Sequence, residues 1–192
     1  MPKSEKKALD LYKKKNYSAA LTAFFKIDKA ELNRNDILIL IANCYDALGQ
    51  KNEAVQYYKK ALRVCGKSEV AAANLAIIYY ELKKMFWAKW YALKTLRINH
   101  YNVSALVVLG NICYCAKKYP KALDYYQQAL EQQREFYTAN FNTAGIYFEM
   151  KDYPTAYFYA RRTVQLYPQA QEAAALLANI CLELDKNEEA IE

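Results

Sequence analysis

Apolar residues recur along this chain at the spacing of an α-helix, in segments of about 12 to 14 residues. In one segment Leu106, Leu109, Gly110 and Cys113 fall at positions i, i+3, i+4 and i+7, which places them on one helix face. Only four Gly and four Pro occur among 192 residues, and so few breakers disfavour a turn-rich β fold. The pattern predicts an all-α chain of short helices that are stable only when they pack against one another.

Residues of similar size recur every 34 positions. One register of small residues reads Ala20, Ala54, Ala88, Ala122, Ala156 and Ala190. A second small register reads Ala8, Ala42, Ala76, Gly110, Ala144 and Ala178, and a third, larger one reads Leu11, Tyr45, Tyr79, Cys113, Tyr147 and Cys181. A small residue lets two helix axes approach closely, while larger neighbours fill the space beside the contact. The period therefore predicts stacked helix pairs, one pair in each 34-residue unit.

The period divides the chain into five full units and a partial sixth. They run over 1–34, 35–68, 69–102, 103–136, 137–170 and 171–192, as one domain over 1–192. The sixth unit stops inside its expected second helix, whereas a solenoid normally ends in a polar capping helix. We therefore expect the chain to be a fragment of a longer protein. In the first unit Glu5, Lys6 and Lys7 replace apolar residues, which predicts an exposed N-terminal cap.

The spacing resembles that of the tetratricopeptide-repeat (TPR) family. The fourth unit fits its pattern best, with Leu106, Leu109, Gly110, Tyr119, Ala122, Tyr126 and Ala129. No unit carries the opening Trp of that pattern, and Pro168 is the only proline at its closing position. The resemblance implies a right-handed superhelical solenoid of antiparallel helix pairs, with about five and a half repeats.

The resemblance also implies a partner-binding site in a concave groove lined by the first helix of each unit. The positions facing that groove include an asparagine in every unit from the second onward, the asparagine ladder: Asn43, Asn74, Asn111, Asn142 and Asn179. Between them we expect an exposed apolar lining of Ile77, Tyr80, Val107, Val108, Tyr114, Phe141 and Phe148. An amide donates and accepts hydrogen bonds, so the ladder could hold a peptide backbone. Alternatively, the asparagines bond neighbouring helices or face water.

Lysines gather where the two helices of a unit are joined. We name as the basic ridge Lys83, Lys84, Lys117, Lys118 and Lys151; Lys186 is expected at the same turn of the sixth unit. The net charge of +7 fits an acidic partner, although exposed lysines at turns need no function. Nucleic-acid binding is disfavoured, because repeat proteins that bind nucleic acid pair basic charge with aromatic residues on one face. Here these residues fall on different faces.

Catalytic and metal-binding signatures are not found in the sequence. It contains no phosphate-binding loop, nucleophile elbow or metal-binding helix motif, so we expect no enzyme activity, cofactor or metal. Five cysteines without paired metal-ligand spacing and a single His predict reduced, mostly buried thiols and a cytoplasmic protein. No apolar run is long enough to span a membrane.

The sequence thus predicts an interaction scaffold that holds an extended or helical segment of a partner protein. Two alternatives stay open. The repeat stack could self-associate through its open ends, or the basic ridge could bind nucleic acid or another acidic surface.

Overall fold

The fold was analysed in a computed structural model that describes residues 3–27 and 32–189. Within these residues every regular element is an α-helix, and the predicted all-α fold of repeated helix pairs is confirmed. They belong to two compact units, Met1–His100 and Tyr101–Glu192. We call these two the first and the second unit, and each 34-residue segment of the sequence a repeat. Ala190 of the first small register lies outside the described residues.

The helices of the first unit are α1 Lys3–Lys13, α2 Tyr17–Phe24, α3 Asn35–Ala47, α4 Lys51–Val64, α5 Glu69–Glu81 and α6 Met85–Ile98. The helices of the second unit are α7 Val103–Cys115, α8 Tyr119–Gln132, α9 Tyr137–Glu149, α10 Tyr153–Leu166 and α11 Gln171–Glu189. From α3 onward the first helix of each pair begins 34 residues after the last such helix. The small residues lie where the pairs close, and those of the register from Ala20 to Ala156 are fully buried.

The turn inside each helix pair needs one residue in the left-handed conformation. That residue is Gly49 in one pair, with φ 76°, and a lysine in the others: Lys15, Lys83, Lys117 and Lys151, with φ between 55° and 63°. The following N–H bonds the carbonyl five residues earlier, as from Lys84 to Tyr79 at 2.8 Å, which is the Schellman way to end a helix. A non-glycine residue pays about 1 kcal/mol for this conformation. Three lysines of the basic ridge therefore occupy a turn position that would favour glycine.

Three expectations are corrected by the structure. Lys186 does not lie in a turn, because α11 continues unbroken to Glu189; the charged run from Asp185 to Glu189 has no apolar stripe that would stabilise a turn and a packed second helix. Glu5 is only 3% exposed instead of forming an open cap, because the Arg34 guanidinium lies 3.4 Å from its carboxylate. The thiols are free, but only Cys44 is buried, and Cys115 is exposed at the end of α7.

Gly110 marks a close contact between α7 and α8 in the second unit. A Cβ added there would lie 2.5 Å from Cε1 of Tyr126, whose ring on α8 is fully buried. A ring enclosed on all sides cannot move away without disturbing its neighbours. The glycine is therefore the partner that lets a tyrosine fit at position 126.

We expect Gly110→Ala to lower the free energy of unfolding by about 1–3 kcal/mol through overpacking. Gly145→Ala is the matched control, since it also lies within a first helix but has no atom within 4 Å of an added Cβ. That substitution should be neutral or stabilising by up to about 1 kcal/mol through helix propensity. Urea unfolding of both variants measures the difference, and equal effects would contradict the close contact.

Candidate functional site

Asn43 lies within hydrogen-bonding distance of two tyrosines in the first unit. Its Nδ2 donates to the Tyr12 hydroxyl at 3.0 Å, and its Oδ1 accepts from the Tyr58 hydroxyl at 2.5 Å. Tyr58 is 1% exposed, and burial raises the pKa of its hydroxyl, so the hydroxyl keeps its proton and remains a donor. The Asn43 amide therefore joins α1, α3 and α4. This is the alternative in which the asparagines of the ladder bond neighbouring helices.

Asn111 and Asn142 are brought together in the second unit by the Tyr126 hydroxyl. Asn142 Nδ2 donates both to Asn111 Oδ1 at 2.9 Å and to the Tyr126 oxygen at 3.0 Å. The Tyr126 hydroxyl in turn donates to Asn111 Oδ1 at 2.6 Å. Each donor meets an acceptor, so this closed arrangement fixes which way each amide points. We call these three residues the amide cluster.

The amide cluster leaves one polar group of each asparagine available. Asn111 Nδ2 and Asn142 Oδ1 have no hydrogen-bond partner among the described residues, and both side chains are half-buried. One is a donor and the other is an acceptor. A peptide backbone offers the complementary carbonyl and N–H.

The remaining ladder residues lie in different surroundings. Asn74 is half-buried on α5 and Asn179 is exposed on α11. No tyrosine hydroxyl bonds either of them within the described part of the chain. The ladder is regular in sequence, but three of its members are bonded to tyrosine and two are not.

The apolar lining is more buried than the sequence suggested. Val107 and Val108 are only 6% and 4% exposed, so the expectation that they form an open surface is wrong. The physical reason is that the α7 segment from Ala105 to Gly110 is buried all round, as a helix without a polar face must be. The other lining residues are half-buried: Ile77, Tyr80, Tyr114, Phe141 and Phe148.

Glu149 gathers two tyrosines at the end of α9, a contact the sequence analysis did not recognise. Tyr114 donates a hydrogen bond to one carboxylate oxygen at 3.1 Å, and Tyr119 donates to the other. Burial and the nearby carboxylate raise the pKa of Tyr114 to about 12. A carboxylate is unfavourable at a helix C-terminus, and the two hydroxyl donors offset that cost. The only sequence signal would have been the 35-residue spacing of Tyr114 and Glu149, which is one residue longer than the repeat.

In the first unit, Lys51 forms ion pairs with two carboxylates near the ends of first helices. Its Nζ lies 2.6 Å from Asp46 on α3 and 2.6 Å from Glu81 at the end of α5. Burial by itself would lower the pKa of Lys51, but the hydrogen bonds to these two acids raise it overall. The acidic ends of the first helices are thus paired with a lysine in one unit and accept hydrogen bonds from tyrosines in the other.

The basic ridge lies where the sequence placed it, at exposed turns. Lys83, Lys117 and Lys151 occupy the left-handed positions, while Lys84 and Lys118 precede α6 and α8 as N-caps. All five are exposed. Lys83 Nζ lies 5.7 Å from the centre of the Tyr80 ring, within cation–π distance.

Residues 3–27 and 32–189 hold no group of three or more His, Cys, Asp and Glu side chains placed to bind a metal ion. Nor does any described helix combine the length and hydrophobicity needed to cross a lipid bilayer.

Comparison with known proteins places the chain among helical repeat proteins. Residues 36–67 match the family model described as tetratricopeptide repeat, and residues 117–192 match the one described as anaphase-promoting complex, cyclosome, subunit 3. No curated protein sequence matches the chain.

Several solved structures share the fold at low sequence identity. TTC0263, a thermophilic TPR protein of Thermus thermophilus, is 18% identical with a TM-score of 0.71, over 93% of this chain and 97% of its own. YrrB, a TPR protein with an unusual peptide-binding site, is 17% identical with a TM-score of 0.67. The match covers 90% of this chain and 89% of YrrB. The APC/C hetero-tetramer Cut9–Hcn1 is 18% identical with a TM-score of 0.77, and the match covers 87% of this chain but 34% of that one. The 34-residue spacing, the helix pairs and these structures show that the chain has a tetratricopeptide-repeat fold, and residues 36–67 match that family's own model.

Proposed function

We propose that this chain binds an extended or helical segment of a partner protein on the first helices of its repeats, with the amide cluster as the centre of the site in the second unit. The observation that carries the proposal is the available pair, Asn111 Nδ2 and Asn142 Oδ1. Their orientation is fixed by Tyr126, so little entropy is lost when they bond a ligand. An extended peptide fits better than a helix, because the backbone groups of a helix are already bonded to one another.

The half-buried aromatic residues of the second unit would select side chains of the bound segment. Phe141 stacks on Tyr137 with ring centres 5.6 Å apart, and Phe148 packs on Tyr153 at 5.7 Å. Rings held this way offer apolar area without losing rotamer freedom on binding. Backbone affinity would come from the amides and sequence preference from these rings. YrrB, which has a similar fold, is a TPR protein with a peptide-binding site.

The decisive substitution is Asn111→Asp. It keeps one oxygen as the acceptor for Tyr126 and Asn142, but it replaces the available NH2 donor with a second, negatively charged oxygen. Peptides selected against the wild-type chain from a random phage-displayed library should bind this variant about 10–100-fold more weakly, the value of one lost hydrogen bond with an unpaired group. Asn52→Asp, the same change on the exposed side of α4, is the matched control and should bind normally.

A second measurement tests Asn142 Oδ1 as the acceptor of a hydrogen bond from the peptide. N-methylation of the selected peptide, one residue at a time, should reveal a position where loss of the N–H costs about tenfold in affinity. That sensitivity should vanish in Asn142→Ala. Equal binding by Asn111→Asp and the wild type would instead assign the amide cluster to structure alone.

We also propose that the protein works in the cytoplasm. Five free cysteines, with Cys115 exposed, suit a reducing environment such as the cytoplasm.

A further inference from the structure

Helix α6 carries an exposed aromatic surface in the first unit. Phe86 is 73% exposed, Trp87 45% and Trp90 46%, and these include both tryptophans of the chain. The rings touch edge to face, with centres 5.3 Å apart for Phe86 and Trp87 and 6.4 Å apart for the two tryptophans. Large aromatic residues are rarely left open in such a group without a binding role. None of these residues contributes to the proposed peptide site.

The surroundings of this surface are basic. No Asp or Glu occurs between Glu81 and Asp124, so α6 has no acidic side chain. A cleft of about 520 Å³ opens beside the rings, lined by Lys67, Trp90, Leu93, Lys94, Arg97 and Ile98. Three of these side chains are cations, and they share the cleft with the apolar Leu93 and Ile98. Lys94 Nζ also lies 5.5 Å from the centre of the Trp90 ring, which keeps this cation beside the aromatic group.

We propose that the α6 surface docks on an anionic lipid membrane. Tryptophan and phenylalanine prefer the boundary between headgroups and acyl chains. Lys67, Lys94 and Arg97 are placed to meet lipid phosphates, with which arginine forms strong paired hydrogen bonds. Phe86 projects outward instead of lining a recess, so the surface can enter a membrane interface but does not enclose a peptide. The complementary charge and the protruding rings together select an anionic bilayer.

The tryptophans make the test direct, because both lie in the surface concerned. The protein is mixed with phosphatidylcholine vesicles that contain either one quarter phosphatidylserine or none. With the anionic vesicles, we expect tryptophan emission to shift to shorter wavelength and the protein to float with the lipid. Added salt should weaken this binding.

Two variants locate the contact. Lys94→Ala/Arg97→Ala should bind the anionic vesicles about 25-fold more weakly, since each basic residue near such a surface contributes about fivefold. Phe86→Ala should also bind more weakly. The control Lys6→Ala/Lys7→Ala removes the same charge from exposed positions on α1 and should keep most of the binding. Unchanged melting temperatures would show that all variants are folded.

Three results would overturn the proposal. One is that the wild type does not float with anionic vesicles. Another is that the α1 control loses as much binding as the α6 variant. The third is that soluble poly-glutamate shifts the emission while vesicles do not, which would assign the surface to an acidic protein.

Discussion

Raising the pH above 10 is expected to unfold this protein steeply, within about two pH units. The reason is its tyrosine content, 19 of 192 residues. Burial raises the pKa above the ordinary 10.0 for the following residues: Tyr45, Tyr57, Tyr58, Tyr91, Tyr114, Tyr125, Tyr137 and Tyr159. In the unfolded chain the same hydroxyls titrate near pH 10, so alkali favours unfolding.

The sign follows from proton binding in the two states. A group whose pKa is raised by folding contributes its full stability below its unfolded pKa and loses it as the pH rises through the folded value. Over each pH unit in which buried Tyr58 keeps a proton that the unfolded chain has lost, stability falls by about 1.4 kcal/mol. Cys44 acts in the same direction, because burial raises its pKa to about 11. Several groups thus add their losses in one pH window.

Acid should have a weaker effect on stability through Asp36. The hydrogen bond from Arg34 is the main cause of the lowered pKa of Asp36, and a lowered pKa gives stability that is lost as the pH falls through it. This carboxylate is exposed, and exposed pairs contribute little. The melting temperature should therefore fall much more between about pH 10 and pH 12 than over a similar interval on the acid side.

Urea unfolding at a series of pH values measures this dependence. Above about pH 10 the slope of unfolding free energy against pH gives the number of protons released on unfolding. Tyr58→Phe should lower that slope by about one proton. A slope that is unchanged in Tyr58→Phe would show that this hydroxyl does not titrate differently in the two states.

The repeat architecture could be predicted from the sequence because it depends on local rules. A 34-residue period of small residues predicts helix pairs, and the first helices from α3 onward begin at that interval. The left-handed turn position also repeats, but lysine fills it in four described turns. The charge of these lysines predicts exposure to solvent but not their left-handed backbone conformation.

The site was less predictable, because it depends on which residues meet across helices. Asn43 and Asn111 each precede a bonded tyrosine by 15 residues, whereas Asn74 precedes Lys89 at that spacing. This spacing was a partial signal, because Tyr157 also follows Asn142 by 15 residues, yet within the described residues Asn142 bonds Asn111 and Tyr126 instead. The burial of Val107 and Val108 was not, since periodicity cannot tell which helix faces are covered. The α6 surface was also missed, because its aromatic residues look like core positions until their exposure is known.

The amide cluster connects stability to the proposed site through a single residue. Tyr126 is fully buried, it packs against Gly110, and its hydroxyl orients both Asn111 and Asn142. A change at Tyr126 should therefore affect both folding and peptide binding. The two effects can be separated by choosing how much of the side chain is removed.

Tyr126→Ala is expected to lower the free energy of unfolding by about 3–5 kcal/mol, as for other buried aromatic residues cut to alanine. Tyr126→Phe keeps the ring and removes only the hydroxyl, so it should cost about 1–3 kcal/mol for the amide groups left without a partner. Urea unfolding monitored by circular dichroism gives both values. Similar losses in the two variants would mean that the hydroxyl, not the ring, supplies most of the stability.

Tyr126→Phe also separates the proposed function from the fold. The phenylalanine variant should remain folded, but without the hydroxyl Asn111 and Asn142 lose the partner that fixes their orientation. Peptides selected on the wild type should then bind about tenfold more weakly, because the amides must be ordered again on binding. Tyr58→Phe removes the matching hydroxyl beside Asn43 in the first unit and serves as the control. If both variants bound the peptides as well as the wild type, the site would lie away from the asparagines.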